Sequence, residues 1–132
     1  MRVKNILSNR GEGIPFSFYF FKKGGVYLSK KENTFQAEII EDLKFLFPSC
    51  IVIKNDSGYI QGIPDLLILY KHTWAALEVK KGLYAKRQPN QDYYIELLDG
   101  MSFASFICPE NKREVLHGLQ QTFSSRISTR FS

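Results

Sequence analysis

Three residues of this 132-residue chain carry charge where the surrounding pattern makes charge expensive. Asp65 follows Gly62-Ile63-Pro64 and precedes Leu66-Leu67-Ile68-Leu69, a run aliphatic enough for a strand covered on both faces. Glu78 and Lys80 lie in Trp74-Ala75-Ala76-Leu77-Glu78-Val79-Lys80. The period of two along a strand sends Ala76, Glu78 and Lys80 to one face and Leu77 and Val79 to the other. An acid and a base on one face of so apolar a strand are strongly unfavourable unless they pair or bind something. A tight turn at Lys71-His72-Thr73 makes the two strands antiparallel, so the start of one meets the end of the other and Asp65 comes beside Glu78 and Lys80. Two carboxylates that close repel, and a hard divalent cation converts the repulsion into binding. Asp65 and Glu78 therefore predict a site for Mg²⁺ that Mn²⁺ would also fill, with a sparse ligand set suited to phosphodiester chemistry. Lys80 would orient or deprotonate the attacking water and stabilise charge on the phosphate. No Cys or His spacing points to zinc, since His72 and His117 stand alone.

The elements that position these residues are legible as patterns. Phe35, Ile39, Ile40, Leu43, Leu46 and Phe47 recur at helical spacing over 35–47, with Asn33 or Thr34 as the cap and Pro48 as the stop. Strands are expected over 50–53, 63–70, 74–80 and 103–108. A helix runs from an Asn90 cap through Leu98 with Gly100 as its terminator, and a last helix follows Pro109 to about Phe123 before a Ser/Arg tail over 124–132. Upstream, Pro15-Phe16-Ser17-Phe18-Tyr19-Phe20-Phe21 and Val26-Tyr27-Leu28 flank Lys22-Lys23-Gly24-Gly25 and read as a β-hairpin, an extension over 1–32. The order αβββαβα after that hairpin predicts an α/β fold with a central mixed sheet flanked by helices.

A 15.3 kDa chain that is 44% apolar suits a single domain over 1–132 with a core that needs neither disulfides nor a structural metal. Cys50 and Cys108 sit in apolar runs and are expected as free thiols. No stretch is long and apolar enough for a membrane span and the start lacks an apolar signal core, so no membrane and a cytoplasmic setting are expected. The net charge of +5 is uneven: residues 1–34 and 80–132 are basic, while 35–79 hold six acidic and three basic groups. Basic flanks attract polyanions, and an acidic centre holds a cation among them. The loop after Lys80 offers Lys81, Tyr84, Lys86 and Arg87 for contact with a phosphate backbone, or simply a solvated basic loop. Lys22, Lys23, Lys30 and Lys31 extend such a surface, and Tyr19, Phe20 and Phe21 provide apolar area for the core or a dimer. Gly58 and Gly62 let the backbone approach DNA closely or turn sharply.

Gly62-Ile63-Pro64-Asp65, twelve intervening residues, then Glu78-Val79-Lys80 resembles the signature of the PD-(D/E)XK nucleases, and the surrounding order αβββαβ resembles their common core. The resemblance covers residues 33–123 and is nearest to small stand-alone members, the VRR-NUC domains and Holliday-junction resolvases. It implies a restriction-endonuclease-like core and a Mg²⁺-dependent deoxyribonuclease with Asp65, Glu78 and Lys80 catalytic and the Val79 backbone carbonyl among the metal ligands. It also implies a glutamate from the first helix. Glu38 is the choice, while Asp42 borders the apolar stripe more closely and Glu41 is adjacent; all three otherwise solvate the outer helix face. Gln91 resembles the glutamine that positions such sites, with Gln88 as the rival. Branched duplex DNA, a homodimer offering two sites, and a bacterial or phage-infected host cell follow from the same likeness, with no small-molecule cofactor. A homing, restriction-type or end-directed nuclease and a non-catalytic nucleic-acid-binding module on the same fold are the alternatives.

Overall fold

The computed structural model describes residues 32–131, with side chains through 128. The expected hairpin over 15–28 and the cations Lys22, Lys23, Lys30 and Lys31 lie outside the described residues. Helix α1 spans Glu32–Leu46, strand β1 Ile51–Lys54, β2 Leu66–Tyr70, β3 Thr73–Val79, helix α2 Gln91–Met101, β4 Phe103–Ile107 and α3 Lys112–Phe131. The order is the αβββαβα read from the sequence, and the class is α/β with a four-stranded mixed sheet flanked by helices. The sheet runs β1-β2-β3-β4, antiparallel through the first three strands and parallel between β3 and β4, with α2 as the crossover.

The two sheet faces are covered differently. Leu66, Ile68, Ala75, Leu77, Val79 and Ile107 point to one face, where Phe35, Ile39, Leu43 and Leu46 of α1 and Val115, Leu116, Leu119 and Phe123 of α3 close over them. Each side chain buried completely in such a layer contributes roughly 1.5–3 kcal/mol. The opposite face carries Ala76, Glu78 and Ala104 and is covered by α2 over β3 and β4. Small alanines there let the helix sit close to the sheet, which brings its N-terminal Gln91 onto Glu78.

Several boundaries differ from the sequence expectation, each for a visible reason. Asn90 does not cap α2: its backbone is left-handed at φ 70°, its side chain makes no capping bond, and the Gln91 side chain accepts the Gln88 N–H instead. Gly100 lies inside α2. A Cβ there would meet open space, and the turn closes later, where the Ser102 N–H donates to the Leu98 carbonyl at 2.9 Å. Helix α3 continues to Phe131 rather than stopping near Phe123, because Ile127 packs on the core and Arg126 donates to Ser102 Oγ (2.6 Å) and the Ser102 carbonyl (3.1 Å). Strand β2 opens at Leu66 rather than Ile63, since Gly62 takes φ +91° and the Ile63 N–H closes a turn on the Ile60 carbonyl. Cys50 and Cys108 are free, as expected.

Candidate active site

The β2–β3 register pairs Leu66 with Leu77, so one step further Asp65 stands opposite Glu78. The step is real in the side chains: Asp65 Oδ2 accepts the Val79 N–H at 2.9 Å, which holds the carboxylate against β3 between Glu78 and Lys80. Val79 thus contributes its N–H to the arrangement, and its carbonyl lies in the same short segment. At the other end Asp65 is anchored by its own carbonyl, which accepts the Asn55 N–H at 2.8 Å, while Asn55 Nδ2 donates to the Pro64 carbonyl at 2.8 Å.

Glu78 is 2% exposed. Its Oε2 accepts from Gln91 Nε2 at 2.8 Å and lies 3.9 Å from Lys80 Nζ, an ion pair without a hydrogen bond. Its Oε1 is buried and has no donor among the described residues. The Asp65 carboxyl faces it, an acceptor like itself unless one of the two carries a proton. Burial, then the Asp65 charge and its hydrogen bond to the Glu78 carboxyl, push the Glu78 pKa from its ordinary 4.5 up to about 8, and Lys80 opposes them only in part. A buried carboxyl with an orphaned oxygen and a second carboxyl in front of it fits a cation: the charge would relieve the repulsion and supply the missing partner.

Lys80 is nearly buried and donates from Nζ to the Lys86 carbonyl at 3.0 Å. Gln91 reaches the same loop from the other side, its Oε1 accepting the Gln88 N–H at 2.8 Å. Loop 81–90 is therefore pinned to the carboxyl pair by two side chains of the site itself. Gln88, the alternative to Gln91, enters through its backbone only among these contacts. Along the loop Lys81, Tyr84 and Lys86 are exposed, while Arg87 pairs with Asp92 and lies 4.0 Å from the Phe106 ring centroid. Beneath it a small solvent-open cleft of about 50 Å³ lies between Lys80, Arg87 and Asn111. Gly62 is buried against this loop. A Cβ on it would fall 2.6 Å from the Asn90 Cβ and 2.8 Å from the Pro89 carbonyl, so the loop before Asp65 and the loop after Lys80 touch there. Gly58 takes its place in an Asp56 turn, its N–H donating to Asp56 Oδ1 at 2.8 Å, and a Cβ would crowd that oxygen.

The helix carboxylates find a partner that the sequence reading did not name. Glu38 and Asp42 both bind Lys112 of α3, at 2.7 and 2.6 Å, and Asp42 is completely buried. This cluster sits between α1 and α3, which cover the sheet face opposite the one carrying Glu78. Glu38 thus has a cation of the chain as its partner, where a third metal carboxylate was expected, and Glu41 is exposed on the outer side of α1. Lys112 is the residue that sequence reasoning missed. It lies on another helix 74 positions after Glu38, beyond the reach of local spacing. Among the described residues no cluster of three or more His, Cys, Asp or Glu side chains gathers for a metal.

A family model described as Antimicrobial14: Lactocin 705 family matches residues 56–83, which hold β2, β3 and the turn between them. That is about a fifth of the chain, too small a part to assign a family. No curated protein and no solved structure matches the chain.

Proposed function

We propose that this protein is a divalent-metal-dependent nuclease that hydrolyses phosphodiester bonds in DNA, with branched duplexes as its preferred substrate. The observation that carries the reading is the meeting of the Asp65 and Glu78 carboxyls beside Lys80, with Glu78 Oε1 buried and without a donor. The resemblance of Gly62-Ile63-Pro64-Asp65 and Glu78-Val79-Lys80 to the PD-(D/E)XK signature supports it from the sequence side.

In this reading Asp65 and Glu78 hold Mg²⁺ or Mn²⁺, and Glu38, bonded to Lys112, is left out of the ligand set. The ion when bound supplies a Lewis acid for the phosphate and lowers the pKa of the attacking water. The chain's own groups do the rest. Asp65, oriented by the Val79 N–H, would be one of the two carboxylates that hold the ion. Glu78, oriented by Gln91, would hold the ion as a carboxylate, the proton that its burial favours passing to solvent as the ion binds. Lys80, held at the Lys86 carbonyl, stands at the edge of the site, where it would orient the water and steady charge developing on the phosphate. Lys81, Lys86 and the exposed loop carry the backbone contact. A homodimer would set two such sites against the two strands of a branched duplex. Among the described residues no helix is long and apolar enough to cross a membrane.

Purified protein incubated with labelled linear duplex, single strand, flap and four-way junction, each with Mg²⁺, Mn²⁺ or EDTA, tests the proposal. Metal-dependent cutting that disappears in Glu78→Ala and Asp65→Ala supports it, and the substrate cut fastest names the subclass. Binding without cutting on every substrate would move the chain to a non-catalytic DNA-binding module.

A further inference from the structure

Tyr59 and Tyr84 are exposed at 86% and 97%, and neither ring nor hydroxyl has a partner among the described residues. The chain treats other aromatics differently: Tyr70 is buried with its ring against Phe123 and Phe47, and Tyr93 packs edge-on against Tyr94. A tyrosine ring left in water forfeits a large apolar area, so two of them at loop tips are surfaces waiting for a flat partner.

Their loops are not loose ends. Tyr59 sits on loop 55–64, which is closed by Asp56 accepting from the Tyr59 and Gly58 N–H groups and is tied at its base to Asp65 through Asn55. Tyr84 sits on loop 81–90, which is tied to Lys80 through the Lys86 carbonyl and to Glu78 through Gln91 and Gln88. The two loops touch where Gly62 meets Pro89 and Asn90. One ring therefore stands on the segment leading into the first carboxylate and the other on the segment leaving the second, on a joined scaffold. Lys81 and Lys86 beside Tyr84 supply charge for a backbone. Exposed aromatics interleaved with cations fit single-stranded nucleic acid, because every base has a face to stack on, whereas a continuous duplex hides its faces.

We propose that Tyr59 and Tyr84 are paired stacking platforms that receive unpaired bases on the two sides of the scissile phosphate, so that DNA with unstacked nucleotides, at a flap or junction, is selected over continuous duplex. The inference rests on the nuclease reading for the meaning of the scissile phosphate, but its test needs no turnover.

Affinities are measured by anisotropy for a labelled single strand, a flap and a continuous duplex, with Ca²⁺ in place of Mg²⁺, for the parent, Tyr59→Ala, Tyr84→Ala and the two Phe variants. Each Ala variant is expected to weaken single-strand and flap binding roughly 5- to 100-fold, with continuous duplex changed less than about 2-fold and an unchanged salt slope, because a stacked base and not a phosphate contact is lost. The Phe variants keep the ring and should bind like the parent. Ala variants that bind single strand as tightly as the parent, or that lose duplex and single strand equally, overturn the proposal. The nuclease reading stands or falls separately on metal-dependent cutting by the unaltered chain. Selective loss of single-strand binding in a chain that never cuts would keep the stacking platforms and remove the catalysis.

Discussion

Gln91 joins the first residue of α2 to the third strand by donating from Nε2 to Glu78 Oε2 at 2.8 Å, while its Oε1 accepts the Gln88 N–H at 2.8 Å. One buried amide thus orients a carboxylate and fixes the base of the loop that follows it. Gln91→Ala removes both bonds and leaves the second Glu78 oxygen without its donor. Outer bonds of this kind orient metal-binding carboxylates, and their loss typically lowers metal affinity or activity about 10- to 100-fold. In the proposed nuclease, cleavage rate and Mg²⁺ affinity should both fall in that range while the melting temperature moves only a few degrees. An Ala variant with the parent's rate would show that Gln91 only packs.

The raised pKa of Glu78 has a definite pH signature. Between its ordinary 4.5 and about 8 the folded chain holds a proton on this site that the unfolded chain has released. The folded state binds more protons there, so stability without metal falls as pH rises through that window, by at most about 1.4 kcal/mol per pH unit, and is flat beyond about 8. Metal needs the ionised form, so below about pH 8 its binding should release close to one proton and tighten with rising pH. Calorimetry in buffers of different ionisation heat counts the proton, and urea melts at pH 5, 7 and 8.5 give the slope. Glu78→Gln should flatten the stability curve; a parent curve already flat would place the Glu78 carboxyl in the ordinary range.

Gly62 and Asn90 meet with both backbones in left-handed conformations, φ 91° and 70°. A Cβ on Gly62 would lie 2.6 Å from a side-chain carbon and 2.7 Å from a backbone carbon of Asn90, and flexible side-chain movement cannot relieve the second clash. Gly62→Ala should therefore force the two loops apart and destabilise the fold by about 1–3 kcal/mol. In the proposed nuclease, cutting should fall further than stability alone explains, because both loops end on residues of the candidate site. Comparing the variant's rate at a temperature where it is fully folded separates the two effects.

The carboxyl pair was legible in outline because two local rules place it: a strand's period of two, and a tight turn at Lys71-His72-Thr73 that brings the start of one strand to the end of the next. The register itself comes from the structure, where the turn is Lys71-His72 alone and Asp65 stands opposite Glu78. The helix carboxylate was not legible, because Glu38 and Asp42 share one side of α1 and their position relative to the sheet depends on Lys112, which folding brings from a distant helix. Helix ends failed for related reasons. Asn90 and Gly100 carry the residue types of cap and stop, but tertiary contacts at Gln91 and Ser102 set the real termini. The tail after Phe123 reads as polar, yet Ile127 and Arg126 find partners on the sheet side and extend the helix.

Lys112 is the last test of that account. It is nearly buried, its Nζ lies 2.7 Å from Glu38 and 2.6 Å from Asp42, and Asp42 is wholly inaccessible. Burial works against its charge, but its bonds to Asp42 and Glu38 outweigh burial and hold its pKa above the ordinary value. Removing the cation strands a buried carboxylate, so Lys112→Met should cost about 3–5 kcal/mol in urea unfolding. Replacing Asp42 as well, Lys112→Met with Asp42→Leu, removes the fully buried unpaired carboxylate and leaves only the partly exposed Glu38 without its cation, so it should recover most of the loss. If the Asp65–Glu78 pair is the metal site of the proposed nuclease, the double variant should keep the parent's dependence of cutting on Mg²⁺. A double variant that folds but needs far more Mg²⁺ would instead tie the α1 carboxylates to the metal site.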